Sequence, residues 1–320
     1  MMNSELRRVC DMFIDYRMQI RDMTMFSSYR QLYPLCAYVF MVRNQEPNEE
    51  IMRLCKEIIR ENFGIFSMFR GNGEKVMTAL LSCESDPGRV MALSDEAYSI
   101  LREDFHASHY LPVLAYYMAT TMAPEKYEQF SYDTRTLFDL YNHVHPVMTS
   151  EEDALFIGLL NATGRDFHDL VNESEEIWKS LKSEFRWHKD ALQTIAHALT
   201  LCSGEGPLKA ARFYNLLSRL RAEGYKYGKD YEAVPLAIIA NLGIDPEQIF
   251  YDFAEAEAYL ADTGDYGFWS GFSTKARYMH TVLVLSVYYM NGTSELTAAF
   301  IVSVLMEIAR EQAAAAAAAA

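Results

Sequence analysis

The stretch that decides the fold is IGLLNATGRDFHDL, residues 157–170. It has the pattern of a helix that ends after a Leu-Leu step, a loop with a glycine, and a new helix that opens at an acid. The stretches TALLSCESDPGRV from Thr78 and LAIIANLGIDPEQI from Leu236 have the same layout. Their matching positions 79, 158 and 237 lie 79 residues apart. A fixed spacing of this kind predicts an internal repeat.

The similarity extends downstream of each stretch. The segments SHYLPVLAYYMA (108–119), KDALQTIAHALT (189–200) and KARYMHTVLVLS (275–286) follow, and a further helix links one unit to the next. We therefore predict an all-α fold of about three four-helix repeats, over residues 48–123, 124–206 and 207–292. Because stacked units share one continuous core, we expect an irregular, α-solenoid-like array that forms a single domain over residues 1–320. Extra helices flank the repeats at both ends, and the last spans residues 294–320.

Helical periodicity supports this fold class along the chain. Apolar residues recur three and four positions apart over residues 4–22, 48–63 and 167–185, which is the pattern of an amphipathic helix. An N-cap acid followed by proline, at Asp86-Pro87 and Asp245-Pro246, predicts two helix starts. Glycines follow the predicted ends of several helices, at Gly164, Gly204, Gly224, Gly243 and Gly292.

The acid-rich stretch HPVMTSEEDAL, residues 145–155, resembles a reaction site at first sight because it combines a histidine, a threonine and three acids. Thr149 followed by Glu152 is also a capping box, in which the hydroxyl and the carboxylate each accept a backbone N–H of the first helical turn. We therefore interpret this stretch as the start of a helix.

The charge balance restricts the partners. The chain carries 29 Lys and Arg against 44 Asp and Glu, which gives a net charge of −15. Nucleic acids and anionic membranes bind through an excess of basic side chains, so we expect neither as a partner.

The cysteines, the N-terminal sequence and the apolar stretches indicate the cellular compartment. The five cysteines are scattered outside any metal-ligand spacing, as is typical of free thiols in a reducing cytosol. The N-terminal sequence has no signal-peptide pattern. The apolar stretches 282–290 and 296–306 are shorter than the ~20 residues that span a bilayer. These features predict a cytoplasmic protein.

Two short segments carry a resemblance to a known family. HPVMTSEED (145–153) and LQTIAHAL (192–199) resemble the most recognisable segments of an uncharacterised bacterial family, domain of unknown function 4003. That family typically shows His-Pro-Phe-Leu-Thr-Ser followed by acids, and later Leu-Gln, two residues and a Ser-His-Ile-Leu-like end. Here Val147 and Met148 stand in place of Phe-Leu, and Ala196-His197-Ala198 in place of Ser-His-Ile. The resemblance covers most of the chain and implies an all-helical, bacterial, cytosolic protein with no established activity.

Gln193 and His197 are the first candidate site residues. They lie four residues apart on one predicted helix whose apolar stripe includes Leu192, Ile195 and Leu199. At about 100° per residue, the polar pair falls well away from the centre of that stripe, at the edge of the core. We expect the pair either to line a groove, in keeping with the family's similar Gln and His positions, or to form a polar contact between helices.

Two other pairs of residues are candidate metal ligands. His106 and His109 would offer two imidazoles, but HExxH and an obvious third ligand are missing, so exposed histidines before a helix are the favoured interpretation. Asp252 and Glu255 share a helix face that would either hold a hard cation or be solvated. We predict no bound metal and no cofactor.

The remaining site candidates are Trp187 and Trp269, near loops between helices, which either anchor a partner or pack at the core edge. No nucleophile–base motif or nucleotide-binding loop occurs in the sequence, which favours a binding protein over an enzyme. Our first hypothesis is a helical scaffold that grips a protein or peptide in a groove between repeats. The alternative is an enzyme or small-molecule binder with a pocket near Gln193 and His197. A third is self-association, as a homo-oligomer, through the apolar C-terminal segment 294–312.

Overall fold

A computed structural model describes residues 2–23, 30–146, 149–266, 272–290, 296–301 and 303–308. These residues form α-helices and short 3-10 turns without a β-strand, which confirms the all-α fold class. The α-helices are α1 Ser4–Asp22, α2 Tyr33–Val42, α3 Glu49–Asn62, α4 Asn72–Ser82, α5 Pro87–Asp104, α6 Leu111–Thr121, α7 Tyr127–Val144, α8 Ala154–Ala162, α9 Phe167–Leu181, α10 Lys189–Leu201, α11 Gly206–Ala222, α12 Ala233–Ile239, α13 Pro246–Ala261 and α14 Thr274–Tyr289. Residues 296–301 and 303–308 are also helical and are called the C-terminal helix below; the rest of the predicted helix 294–320 lies outside the described residues.

The chain divides into two compact units. The N-terminal unit is Met12–Gly164, and the C-terminal unit combines Met1–Asp11 with Arg165–Ala320. Helix α1 therefore contributes residues to both units.

The N-terminal unit has two layers of helices. Helices α2, α4, α6 and α8 pack in series as an inner layer, and α3, α5 and α7 pack in series as an outer layer against them. Inner helices are buried all round: every residue of α6 from Leu111 to Met118 is buried, and the sequence of α6 contains no charged residue. Outer helices bury one stripe, as α3 does with Met52, Cys55 and Ile59.

The C-terminal unit repeats this arrangement. Helices α10, α12 and α14 form its inner layer, and α9, α11 and α13 form its outer layer. All of Ala191–Thr200 in α10 is buried, whereas α9 buries a single stripe that includes Leu170, Ile177 and Leu181.

The predicted helix starts and stops are confirmed where the structure describes them. Asp86 accepts the Arg89 N–H at 3.0 Å, and Asp245 accepts the Glu247 N–H at 2.8 Å. These bonds satisfy N–H groups that a first helical turn leaves unpaired. Gly164 ends α8 with φ 67°, a left-handed conformation that favours glycine. Positive φ also occurs at Gly204, Gly224 and Gly243, while Gly292 lies outside the described residues.

Ser150 and Asp153 contribute capping contacts before α8. The Ser150 N–H donates to Asp153 Oδ2 at 2.9 Å, and the Glu152 N–H donates to Ser150 Oγ at 3.3 Å. A 3-10 turn over Glu151–Asp153 precedes the α-helix, so these contacts lie in that turn. The capping box of Thr149 and Glu152 stays a prediction. The stretch begins a helix, as predicted.

Each predicted repeat contains four α-helices. Helices α3–α6, α7–α10 and α11–α14 lie within the three predicted segments, except that α11 begins one residue before its segment. Each matched stretch covers the end of an inner helix, a loop and the start of an outer helix. The solenoid-like repeat and the single domain over 1–320 stay predictions. Among the described helices, none combines the length and the apolarity needed to cross a bilayer.

Candidate functional site

An open groove runs between the start of α1 and the outer face of α13, within the C-terminal unit. It has a volume of about 550 Å³. Its walls are Asn3, Gln248, Tyr251, Asp252, Ala254, Glu255 and Ala258. The residues from α13 come together because positions three, four and seven apart lie on one helix face. Tyr251 stands in this groove with 57% of its surface exposed.

The groove wall is acidic. Asp252 is buried and accepts the Tyr289 hydroxyl at 2.5 Å. Burial and this hydrogen bond raise the pKa of Tyr289, so the phenol stays protonated and remains a donor. Glu255 follows one turn later on the same wall, and the sequence of α13 contains four acids and no lysine or arginine.

The structure bears on both interpretations of Asp252 and Glu255, a cation site and a solvated helix face. They do share a face, but Asp252 is not solvated because it lies under Tyr289. Among the described residues, no group of three or more His, Cys, Asp or Glu side chains is placed to hold a metal ion.

A second feature escaped the sequence analysis: a buried acid stands at the start of three inner helices. Glu74 lies in the first turn of α4, and Asp153 and Glu232 are the N-caps of α8 and α12. Only 7%, 4% and 1% of their surfaces are exposed. They are 79 residues apart, which is the spacing of the predicted repeat. That spacing, applied to acids rather than to apolar residues, is the signal that would have found them.

The first and last of these acids have opposite charge surroundings. Glu74 lies between two guanidinium groups, with Arg60 Nη2 at 2.9 Å and Arg70 Nε at 2.8 Å. Glu232 shares the ammonium group of Lys275 with Glu307, and the Lys275 Nζ lies 3.0 Å from Glu232 Oε2. Burial, and then the charge of Glu307, raises the pKa of Glu232 to about 7.

Gln193 and His197 lie four residues apart on α10, as predicted, but both are buried. The expected position at the edge of the core is wrong because α10 is an inner helix, covered on all sides. Its sequence from Ala191 to Leu201 has no Asp, Glu, Lys or Arg, and this would have indicated full burial. A role in binding a small molecule stays a prediction.

The two tryptophans have different outcomes. Trp187 lies in the turn between α9 and α10 with 84% of its surface exposed, so it does not pack at the core edge. Its ring centroid is 5.9 Å from the guanidinium of Arg186. A role as a partner anchor stays a prediction. Trp269 lies outside the described residues.

His106 and His109 are exposed in the loop between α5 and α6. They do not share a helical face, since helix α5 ends at Asp104 and α6 begins at Leu111. The favoured interpretation, exposed histidines before a helix, agrees with this placement.

The chain belongs to the DUF4003 family. The model of that family, described as a protein of unknown function, matches residues 19–313. No curated protein and no solved structure matches the chain. The resemblance at residues 145–153 and 192–199 is thereby confirmed, and the family brings no activity with it.

Proposed function

We propose that this member of the DUF4003 family is a cytosolic helical-repeat protein of bacteria that binds a protein or peptide partner in the groove between α1 and α13. The observation that carries the proposal is Tyr251, an aromatic side chain exposed over 57% of its surface on the wall of a 550 Å³ groove. Tyrosine is enriched at protein interfaces because its ring buries a large area at a low entropic cost.

The chemistry of the groove favours a partner segment that presents lysine or arginine. Glu255 lines the same wall as the Tyr251 ring, and the buried Asp252 adds negative charge to that wall. A cation can contact a carboxylate and the face of an aromatic ring at the same time. The net charge of −15 would also steer a basic partner toward the chain over a longer range.

The small side chains of the wall leave room for a backbone. Ala254 and Ala258 lie one turn apart between the larger groups. A peptide can therefore approach the helix closely while its basic side chain reaches Glu255. The five cysteines, all free and buried in the structure, support a reducing compartment.

Site-specific photo-crosslinking in the native cells tests this function. The photoreactive p-benzoylphenylalanine replaces Tyr251 in one variant, and Tyr132 of α7, which is 65% exposed, in a matched control variant. We expect one crosslinked partner from position 251 that position 132 does not give, with the adduct mapped to a segment containing lysine or arginine.

The mapped segment is then synthesised and its affinity measured by fluorescence anisotropy. Glu255→Gln should weaken binding about fivefold, since a partly exposed ion pair contributes about 1 kcal/mol. Glu57→Gln, on the exposed side of α3, is the control and should leave binding unchanged. Identical adducts from both positions, or an affinity that Glu255→Gln leaves unaltered, would refute the proposal.

A further inference from the structure

Three charged residues from three different elements meet in the C-terminal unit. Lys275, in the first turn of α14, places its Nζ 3.0 Å from Glu232 Oε2 and 2.8 Å from Glu307 Oε1. Glu232 begins α12, and Glu307 lies on the C-terminal helix. Both glutamates are buried. Two carboxylates therefore share one ammonium group in the interior.

The loop before α12 packs closely around Glu232. A Cβ atom placed on Gly228 would lie only 1.5 Å from Glu232 Oε1, so the carboxylate lies directly against the backbone there. The buried Tyr227 donates its hydroxyl to the backbone carbonyl of Glu232 at 3.0 Å. Burial, then the charges of Glu232 and Glu307, raises the pKa of Tyr227 well above its usual value, so the phenol stays neutral.

The neighbouring charges of the same loop face other partners. Lys229 donates from Nζ to the Glu184 carbonyl oxygen at 2.9 Å. Asp230 lies 3.7 Å from His188 Nδ1. The cluster consists of the two glutamates and Lys275, with the phenol of Tyr227 beside them.

If both carboxylates are ionised, two negative charges lie beside the positive charge of Lys275 in a poorly solvated place, which is costly. One proton on Glu232 removes one of these negative charges. We infer that Glu232 is protonated in this cluster, and that loss of this proton weakens the docking of the C-terminal helix, which carries Glu307, on α12 and α14.

The protonation chemistry of the cluster agrees with this inference. Burial and then the charge of Glu307 raise the pKa of Glu232 to about 7, from a usual value of 4.5. Burial lowers the pKa of Lys275, but the two carboxylates outweigh burial and raise it, so the ammonium persists. The proton is therefore held below pH 7 and lost above it.

The C-terminal helix is the element that can respond. Glu232 begins a helix that packs against α10, α11 and α14. Glu307 lies on a helix that is held by apolar side chains, including Phe300, Ile301 and Val304. These apolar contacts keep the helix docked at either pH, so the proton changes how often it opens.

Hydrogen exchange read by mass spectrometry tests the inference on the intact protein. Peptides that cover residues 296–308 are compared at pH 6.0 and pH 8.5, with labelling times scaled for the intrinsic rate of amide exchange. A carboxyl group whose pKa falls from 7 to 4.5 on opening changes the opening equilibrium about tenfold between these pH values. We expect opening of this helix to be about tenfold more frequent at pH 8.5, with peptides of α9 unchanged.

Variants assign the effect to the cluster. Glu232→Gln removes the titrating carboxyl group and should abolish the pH response of the C-terminal helix. Glu307→Gln removes the second negative charge and should reduce that response. Glu257→Gln is the matched control, since Glu257 is a buried carboxylate paired one-to-one with Arg277 at 2.6 Å; it should retain the response. Opening equilibria within twofold of each other at the two pH values in the wild-type protein, or a full response in both glutamine variants, would overturn the inference.

Discussion

One substitution at two matching positions should change stability in opposite directions. Glu74 and Glu232 lie 158 residues apart, twice the 79-residue spacing, and both begin inner helices. Glu74 is held by two arginines, whereas Glu232 shares one lysine with another carboxylate. Replacing glutamate by glutamine removes the charge and keeps the shape. At pH 8.5 we expect Glu74→Gln to destabilise the protein and Glu232→Gln to stabilise it.

The magnitude at Glu74 follows from its hydrogen bonds. Arg60 donates to Oε1 at 3.1 and 2.9 Å, and Arg70 donates to Oε2 at 2.8 Å. Removing one partner of a buried ion pair costs about 3–5 kcal/mol. Because Arg60 is half exposed and regains water, we expect a loss of about 2–3 kcal/mol. Lys56, whose pKa is lowered by burial and by Arg60, would add to the uncompensated positive charge.

The magnitude at Glu232 follows from linkage. A carboxyl group whose pKa is raised on folding contributes stability that is complete below its unfolded value, 4.5, and is lost as the pH rises through about 7. Between pH 5.5 and 8.5 this amounts to about 2 kcal/mol. The wild-type protein should lose that amount at this site, and the Glu232→Gln variant should not.

Urea unfolding followed by circular dichroism at pH 5.5 and 8.5 measures both effects. Hydrogen exchange of amides in α4 and α12 assigns each change to its own unit, since Glu74 and Glu232 lie in different units. The reasoning is refuted if the two variants shift stability in the same direction at pH 8.5, or if the effect of Glu232→Gln is the same at both pH values.

Three further predictions concern the core. Lys209 is buried, and its Nζ lies 2.6 Å from Glu173, so Lys209→Met should lower the free energy of unfolding by about 3 kcal/mol. In urea unfolding, the double variant with Glu173→Gln should lose less stability than the sum of the two single variants. Gly158→Val should lower the free energy of unfolding by about 1–3 kcal/mol, because a Cβ at this position would lie 2.7 Å from Leu114 Cδ1. Gly88→Ala, where a Cβ would meet no atom closer than 3.7 Å, should leave stability unchanged or increase it. Iodoacetamide at pH 8 should leave the thiols of the native protein unmodified over minutes and label them all in urea, because burial raises their pKa; labelling of a thiol in the native protein at the rate seen in urea would contradict this. The buried thiols are Cys10, Cys36, Cys55, Cys83 and Cys202.

Local signals predicted the helices well because caps and periodicity depend on neighbouring residues alone. The helix predicted over residues 4–22 is α1, and the acid-proline pairs at Asp86 and Asp245 begin α5 and α13. The division into inner and outer layers was not predicted. It depends on which helices cover one another, and a stripe such as that of α10 does not show whether its opposite face is also covered.

The candidate site was predicted only in part. That Asp252 and Glu255 share a helix face follows from their spacing, but the groove also needs Asn3, which the fold brings from the other end of the sequence. The cluster of Glu232, Lys275 and Glu307 joins residues 43 and 32 positions apart. No local pattern reports such a meeting, because each side chain alone has an ordinary, solvated interpretation.

The three buried acids show how a repeated position can acquire different chemistry. The start of a helix leaves N–H groups unpaired and carries a partial positive charge, so an acid at this position is favourable in each of the three predicted repeats. The inner layer then buries that acid, and its charge must be balanced locally. Two arginines form ion pairs with Glu74, and the Ser150 N–H donates a hydrogen bond to Asp153. Glu232 shares Lys275 with Glu307 of the C-terminal helix. The backbone thus explains why an acid recurs every 79 residues, and the neighbours of Glu232 explain why that acid should respond to pH near neutrality.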